Sequence, residues 1–206
     1  MGVGVSLSPG ETVFGREFTD PARSLDDLAA VARIRASLAA RVHGSLGGGS
    51  WTDAGEAHWL VVPDPRALVE SRPAFGVGFF GQAREDVDHA PILDLEQDLV
   101  ARAARLPGML AYYNVHFAGG QWGNLVLFGT PDDAGRVRSH PTHVDALERV
   151  SDHYRSVRLH RLTFADGAVG EVAAVLESTL LIDFSEVPAW RAVRHGQAYR
   201  DVRTSP

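Results

Sequence analysis

The order of strand and helix patterns between Phe75 and Phe164 constrains the fold of this chain more than any other feature. The run Phe75–Phe80 alternates large and small residues as a buried strand does, and its glycines allow close approach from one side. Pro91 then suits the first turn of a helix. The apolar face of that predicted helix holds Ile92, Leu95, Leu99 and Leu106.

Two more strands, a second helix and a last strand complete this segment. Residues 109–117 and 122–128 alternate as the two arms of a hairpin. Residues 142–154 repeat apolar side chains at helical spacing, and residues 156–164 alternate again. The order β-α-β-β-α-β predicts an α+β, ferredoxin-like fold, in which two helices pack on one face of a four-stranded antiparallel sheet.

The N-terminal flank predicts a helix and a strand. Ser24 followed by Asp27 matches a capping box, and apolar residues then recur at helical spacing as far as His43. The run 47–50 predicts a flexible loop, and 59–62 a short strand.

The sequence also predicts two turns in the central segment and the elements of the C-terminal flank. Gly119-Gly120 predicts the hairpin turn, and Pro131 to Asp133 predicts a loop. A further hairpin is predicted to return through residues 172–184, and a short helix to follow Pro188. We therefore predict a single domain over residues 1–206, with its core at 72–166 and extensions at 1–71 and 167–206.

Composition excludes several classes of function. The net charge of −6 argues against a nucleic-acid partner, which requires clustered cations. The chain contains no lysine and no cysteine, which excludes a Schiff-base lysine, a thiolate nucleophile and a cysteine-ligated metal. Without disulfides, a signal-peptide pattern or an apolar run of membrane-spanning length, the sequence predicts a cytoplasmic protein with no membrane partner.

The central segment resembles a known superfamily in its element order and aromatic strands. The second strand reads Tyr112-Tyr113-Asn114-Val115-His116-Phe117, and the third carries Trp122. Over residues 72–166 the chain looks like the dimeric α/β-barrel superfamily, which includes cofactor-independent monooxygenases of antibiotic biosynthesis and haem enzymes. The resemblance implies a homodimer whose two sheets form a barrel, with ligand pockets between sheet and helices.

Strand alternation selects the first set of candidate site residues. Tyr112, Asn114 and His116 share one face of their strand, and Arg158 and His160 share one face of theirs. If the apolar faces meet the helices, these polar side chains project together onto the second face of the sheet. A cavity there would suit proton abstraction from an acidic phenol.

The leading prediction is an oxidative tailoring enzyme that acts on a small aromatic or polyketide-like substrate. In this hypothesis His116 or His160 is the base and Arg158 stabilises the anion. The substrate-binding side chains are Tyr112, Asn114 and Trp122.

Two alternatives remain open from the sequence. In the first, the protein is a haem enzyme whose axial ligand is His143, His153 or His140, because His143 falls on the apolar stripe of its helix. In the second, the polar strand face is a dimer interface or a solvated surface, and the protein is a binding or structural module. The cofactor prediction is accordingly none or haem.

Overall fold

A nine-stranded mixed sheet runs through the protein, in a computed structural model that describes residues 4–43, 48–117 and 121–196. The strands are β1 (Val5–Leu7), β2 (Gly49–Asp53), β3 (Glu56–Val61), β4 (Ala74–Ala83), β5 (Met109–His116), β6 (Gln121–Phe128), β7 (Tyr154–Phe164), β8 (Val175–Asp183) and β9 (Trp190–His195). The helices are α1 (Pro21–His43), α2 (Pro65–Glu70), α3 (Ala90–Ala103), α4 (Pro131–Arg138) and α5 (Pro141–His153). No helix within these described ranges combines the length and the apolar character needed to cross a membrane.

The four strands predicted in the central segment form the middle of this sheet. They are β4, β5, β6 and β7, and they lie as antiparallel neighbours in the order β7-β4-β6-β5. The sheet continues past β5 through β3 and β2, and past β7 through β8, β9 and β1. All pairings are antiparallel except that of β1 with β9.

The alternation of large and small residues in β4 has the predicted physical cause. A Cβ atom at Gly76 would lie 2.6 Å from Cε2 of Phe164, and one at Gly81 would lie 2.5 Å from the ring of Tyr154. These glycines therefore let aromatic rings of the neighbouring strand lie directly against the β4 backbone.

The loop predicted from Pro131 to Asp133 is instead the first turn of α4. Thr130 Oγ1 accepts a hydrogen bond from the Asp133 backbone N–H (3.3 Å), and the Asp133 carboxylate accepts one from the Thr130 backbone N–H (2.9 Å). This is a complete capping box, and Pro131 occupies the first helical position, where a missing N–H costs nothing. Pro131 to Asp133 do form a turn, but it is the first turn of α4.

The helix predicted to begin at Ser24 begins earlier, at Pro21. The Asp20 carboxylate accepts a hydrogen bond from the Ala22 backbone N–H (2.8 Å), which satisfies one of the amides at the helix start. The predicted capping box of Ser24 and Asp27 is therefore wrong. Both side chains lie within α1 and point to the sheet, since Ser24 is 6% exposed and Asp27 is 2% exposed.

Three other predictions, two in the flanks and one in the central hairpin, have different outcomes. The short helix predicted after Pro188 is wrong, because residues 190–195 form β9 between β8 and β1. The run 47–50 was predicted as a loop, but Gly49 and Ser50 already belong to β2. The predicted Gly119-Gly120 turn lies outside the described residues.

Helices cover both faces of the sheet. On one face, α1 packs Val31, Ile34 and Leu38 into a core that includes Phe80, Leu125 and Leu162. On the other, α3 and α4 contribute to a second cluster built from Val100, Ala103, Val137, Met109, Tyr112 and Phe128. A partner sheet packed on the middle of the first face would have to displace α1. The predicted barrel, in which two sheets pack face to face, is therefore not compatible with α1 at this position.

Candidate functional site

The strand register separates the predicted site residues into two groups. Directly paired residues of neighbouring antiparallel strands point to the same face. Asn114 is paired with Asn124, and Asn124 with Phe79, so Asn114 faces α3 and α4 together with Tyr112 and His116. Arg158 and His160 pair with Phe80 and Gly78 and therefore face α1. The prediction that all five side chains share one face is wrong, because the sequence did not indicate that α1 covers the second face.

Arg158 and His160 belong to a buried hydrogen-bond network with Asp27 of α1. Arg158 Nε and Nη2 donate to the two Asp27 carboxylate oxygens at 2.6 and 2.9 Å. His160 Nε2 lies 2.8 Å from Asp27 Oδ2, and its Nδ1 lies 2.9 Å from Thr179 Oγ1. His160 is 0% exposed and Arg158 is 6% exposed. The charged partner of both residues is the buried Asp27 of α1. We therefore infer that this network holds α1 against the sheet.

The electrostatics of Asp27 agree with that assignment. Burial alone raises the pKa of a carboxyl group. For Asp27 the hydrogen bonds from Arg158 and His160 outweigh burial, and the pKa lies below its ordinary value. The folded protein therefore holds Asp27 as a carboxylate, paired with the Arg158 guanidinium.

A second polar cluster lies on the opposite face, between α3 and the sheet. Tyr112 Oη donates a hydrogen bond to Glu96 Oε1, and Asn114 Nδ2 donates to the same oxygen at 2.5 Å. Asn124 Nδ2 donates to Tyr112 Oη at 3.3 Å. Among the described side chains, none donates to Glu96 Oε2. Two predicted substrate-binding residues are thus brought together with a carboxyl group that the sequence analysis did not select.

Burial shifts the titration of this cluster. Burial raises the pKa of Glu96 above its ordinary value, although the hydrogen bonds from Tyr112 and Asn114 act in the opposite direction. Burial, followed by the nearby Glu96 charge, raises the pKa of Tyr112 well above that of a free phenol. Tyr112 therefore stays protonated and donates its hydrogen bond to Glu96. A buried carboxyl with a raised pKa is a frequent mark of an acid–base site.

Part of this cluster is half-buried, and aromatic side chains lie beside it on the same face of the sheet. Glu96, Asn124, His116 and Trp122 are half-buried. The His116 ring stacks on Trp122, with centroids 4.4 Å apart and planes 20° apart, and Trp59 meets Tyr112 edge-on at 5.5 Å. This arrangement offers flat apolar surfaces next to hydrogen-bonding groups.

The three histidines proposed as haem ligands lie in different surroundings. His140 Nδ1 accepts a hydrogen bond from the Thr142 backbone N–H, so this nitrogen caps α5. The His153 ring lies 5.6 Å from the ring of His89, which fills the space beside it. His143 is half-buried, and burial together with the charges of Arg138 and His140 lowers its pKa. An axial histidine needs an apolar slot for the macrocycle. Neither of the two cavities described below is lined by one of these histidines, and we derive no step through a haem.

No group of three or more metal-ligating side chains gathers anywhere in residues 4–43, 48–117 and 121–196. Two cavities in the described part of the chain lie on the α1 side of the sheet. The larger, of about 700 Å³, lies between the loop 12–18 and Gln82, Arg155, Ser156 and Asp183. The smaller, of about 150 Å³, lies beside the first turns of α1.

Glu96 and Asp27 share one sequence pattern, since each is a carboxylate on the apolar stripe of a helix. Glu96 lies four residues after Ile92 and four before Val100, so it interrupts the apolar stripe of α3. Asp27 lies four residues before Val31 on the buried stripe of α1. A carboxylate at core-facing helical spacing is expected to have a buried partner. The identity of that partner depends on the tertiary fold.

Comparisons with known proteins find only distant structural similarity. No protein-family model and no curated protein matches the sequence. Among solved structures, a presumed monooxygenase from Fusobacterium nucleatum shares 13% identity at a TM-score of 0.41, over 48% of this chain and 48% of that one. A protein of unknown function from Nitrosomonas europaea shares 10% at 0.40, over 46% and 91%. SnoaB, a cofactor-independent oxygenase from Streptomyces nogalater, shares 14% at 0.36, over 45% and 91%.

The first of these similarities spans about half of each chain. At such identities and TM-scores, none of them supports an inference about the reaction. An inference about the reaction therefore has to rest on the side chains of the protein itself.

Proposed function

We propose that the protein is a cofactor-independent oxygenase of small aromatic molecules, with Glu96 as the group that accepts a proton from the substrate. The observation that carries this proposal is the half-buried Glu96 carboxyl, whose Oε1 is held by Tyr112 and Asn114. A general base has to be ionised near the operating pH and fixed within reach of the substrate proton. The hydrogen bonds from Tyr112 and Asn114 fix the Glu96 carboxyl and favour its ionised form, while its raised pKa makes it a stronger base than an exposed carboxylate.

The substrate class follows from the surroundings of Glu96. The stacked His116 and Trp122 rings suit a flat aromatic body, and the side-chain amide of Asn124 suits a phenolic or carbonyl oxygen. Deprotonation of an acidic CH₂ group gives a delocalised carbanion, which can reduce dioxygen directly. In the balanced reaction the CH₂ group becomes a carbonyl group. One oxygen atom of O₂ enters the product and the other leaves as water, with the substrate as the sole reductant.

The first prediction tests Glu96 as the base with 1,8-dihydroxy-9-anthrone as the substrate probe. We expect the protein to accelerate dioxygen uptake, and Glu96→Gln to lower the catalysed rate by about 100-fold or more, because general base catalysis contributes about 10²–10⁴. The matched control is Asp94→Asn, which removes an exposed carboxylate from the same helix and is expected to leave the rate unchanged. The measurement is oxygen-electrode uptake at saturating probe.

A pH profile and an anaerobic spectrum separate the two steps. The wild-type rate is expected to rise with pH, with a midpoint above the ordinary glutamate value of about 4.3, and this limb is expected to vanish in Glu96→Gln. Without oxygen, the wild type is expected to bind the probe as its coloured anion. An unchanged rate in Glu96→Gln would refute Glu96 as the base. Anion formation without oxygen uptake would leave a proton-transfer enzyme or a binding protein instead of an oxygenase.

A further inference from the structure

One stretch of the sheet surface lies outside the hydrophobic clusters of the described residues. Arg158 and His160 of β7 face α1, so Leu159 between them faces the opposite side. Leu159 pairs with Leu180 of β8, and Leu180 pairs with Val193 of β9. These three side chains are half-buried, and none of them belongs to or packs against a hydrophobic cluster of the described chain. They form an apolar row across three strands, which we call the strand patch.

Positive side chains surround the strand patch. The exposed residues that lie two positions from its members on β7 and β9, and therefore face the same side, are Arg161, Arg191 and His195. Neither arginine forms an ion pair within the described part of the chain. The three strands hold two acidic residues, of which Asp183 faces α1 and Glu177 is the extra residue at the bulge of β8. The strand patch is therefore apolar at its centre and positive at its rim.

Helix α5 carries a surface of the opposite charge. Val144 is 43% exposed and Leu147 is 51% exposed, and they are neighbours on the helix because they are three positions apart. The exposed charged residues of α5 are Asp145, Glu148, Arg149 and Asp152. None of these four forms an ion pair with another described residue. We call Val144, Asp145, Leu147 and Glu148 the helix patch.

The two patches lie on the same side of the sheet. Helix α5 packs against α3, and α3 lies on the face opposite to α1. With its 13 residues, α5 is about 20 Å long, and it stands above the level of the strand patch on that face. In a two-fold dimer, a surface of one copy contacts its complement on the other copy, and the reverse contact forms at the same time. Two copies placed face to face can therefore each seat α5 on the partner's uncovered strands.

We propose that the protein forms a two-fold homodimer in which the helix patch of each copy binds the strand patch of the other. The apolar side chains of the two patches cover each other, and the α5 carboxylates face Arg161 and Arg191. Charge complementarity of this kind selects one orientation of the partners over others. The interface differs from the predicted barrel, because α1 keeps its place on the opposite face. The proposal does not depend on the oxygenase activity.

The second prediction is the mass of the full chain in solution, measured by size-exclusion chromatography with light scattering. We expect about twice the chain mass of 22.2 kDa at a protein concentration of about 50 µM, where a dimer with a Kd of about 1 µM is mostly assembled. Leu147→Asp is expected to raise the Kd at least about 30-fold, because it buries a charge without a partner. The matched control is Leu25→Asp, at a leucine of α1 that is 48% exposed, and it is expected to remain dimeric. Far-UV circular dichroism checks that both variants are folded.

Charge reversal tests whether the two patches contact each other. Arg161→Glu with Arg191→Glu makes the rim of the strand patch negative, and Asp145→Arg with Glu148→Arg makes the helix patch positive. Each double variant alone is expected to be monomeric, because like charges then meet in both contacts. An equimolar mixture of the two is expected to form heterodimers, since one contact is fully reversed and the other is native.

Three results would overturn the proposal. The first is a monomeric wild type, and the second is a dimer that Leu147→Asp leaves intact or that Leu25→Asp dissociates equally. The third is a mixture of the two charge-reversal variants that stays monomeric, which would show that the patches do not meet.

Discussion

Replacing Asp27 with asparagine is expected to lower the free energy of unfolding by about 3–5 kcal/mol. The change preserves the shape of the side chain but leaves the Arg158 guanidinium, which is 6% exposed, without its counter-charge. Breaking a buried ion pair by removing one partner typically costs this amount. The measurement is urea-induced unfolding at pH 7, followed by tryptophan fluorescence.

The neighbouring Asp26 provides the matched control for this prediction. It is exposed, and Asp26→Asn is expected to change the unfolding free energy by no more than about 0.5 kcal/mol. A loss of less than about 1 kcal/mol in Asp27→Asn would contradict the structural role assigned to the network. A double-mutant cycle with Arg158→Met then measures the coupling between the two side chains.

The pH dependence of this effect has a definite sign. The folded pKa of Asp27 is depressed by its hydrogen bonds with Arg158 and His160, which outweigh burial, whereas the unfolded value is about 3.9. The carboxylate therefore contributes its full stability above about pH 4, and this contribution is lost as the pH falls through the folded pKa. We expect the difference between wild type and Asp27→Asn to shrink below about pH 4. A difference that stays constant down to pH 3 would contradict the depressed pKa.

Replacing Phe80 with alanine is expected to cost about 3–5 kcal/mol of unfolding free energy. Phe80 is 1% exposed, and its ring lies 5.6 Å from the ring of His160. A Cβ at Gly123 would lie 3.0 Å from Phe80 Cε1, and one at Gly78 would lie 3.3 Å from Cε2, so the ring fills a space bounded by backbone. A rigid boundary of this kind cannot collapse into the space that alanine leaves.

Phe14→Ala is the control for the loss of a phenylalanine ring, because Phe14 is fully exposed in the loop 12–18. We expect it to change the unfolding free energy by no more than about 0.5 kcal/mol. Chemical denaturation of both variants is the measurement. A loss of under about 1 kcal/mol in Phe80→Ala would show that the sheet relaxes around the missing ring.

The central strands were predictable from the sequence because strand periodicity is local. Phe75 to Phe80 contains large side chains separated by glycines. This pattern reflects how closely neighbouring side chains approach each side of the strand. The start of α4 was less predictable, since Pro131, Asp132 and Asp133 are turn-forming residues and also good residues for a first helical turn. The outcome was decided by the reciprocal bonds between Thr130 and Asp133.

The composition of the candidate site was only partly predictable. Alternation correctly grouped Tyr112, Asn114 and His116, because these residues follow one another on one strand. It could not relate them to Arg158 and His160, because the relative faces of β5 and β7 are set by long-range strand pairing through β6 and β4. Glu96 was missed for the same reason, since its partners become visible only when α3 is placed on the sheet.

The parallel pairing of β1 with β9 has a consequence for the order of events during synthesis. Val5 pairs with Ala192, and Arg194 binds the carbonyl groups of Ser8, Glu11 and Thr19. A nascent chain has to extend beyond residue 194 on the ribosome before any of these contacts can form, whereas the β4–β7 pairings can form earlier. The loop 12–18 forms one wall of the larger cavity. The contacts of this loop with β9 can therefore form only after the C-terminal strand has been synthesised.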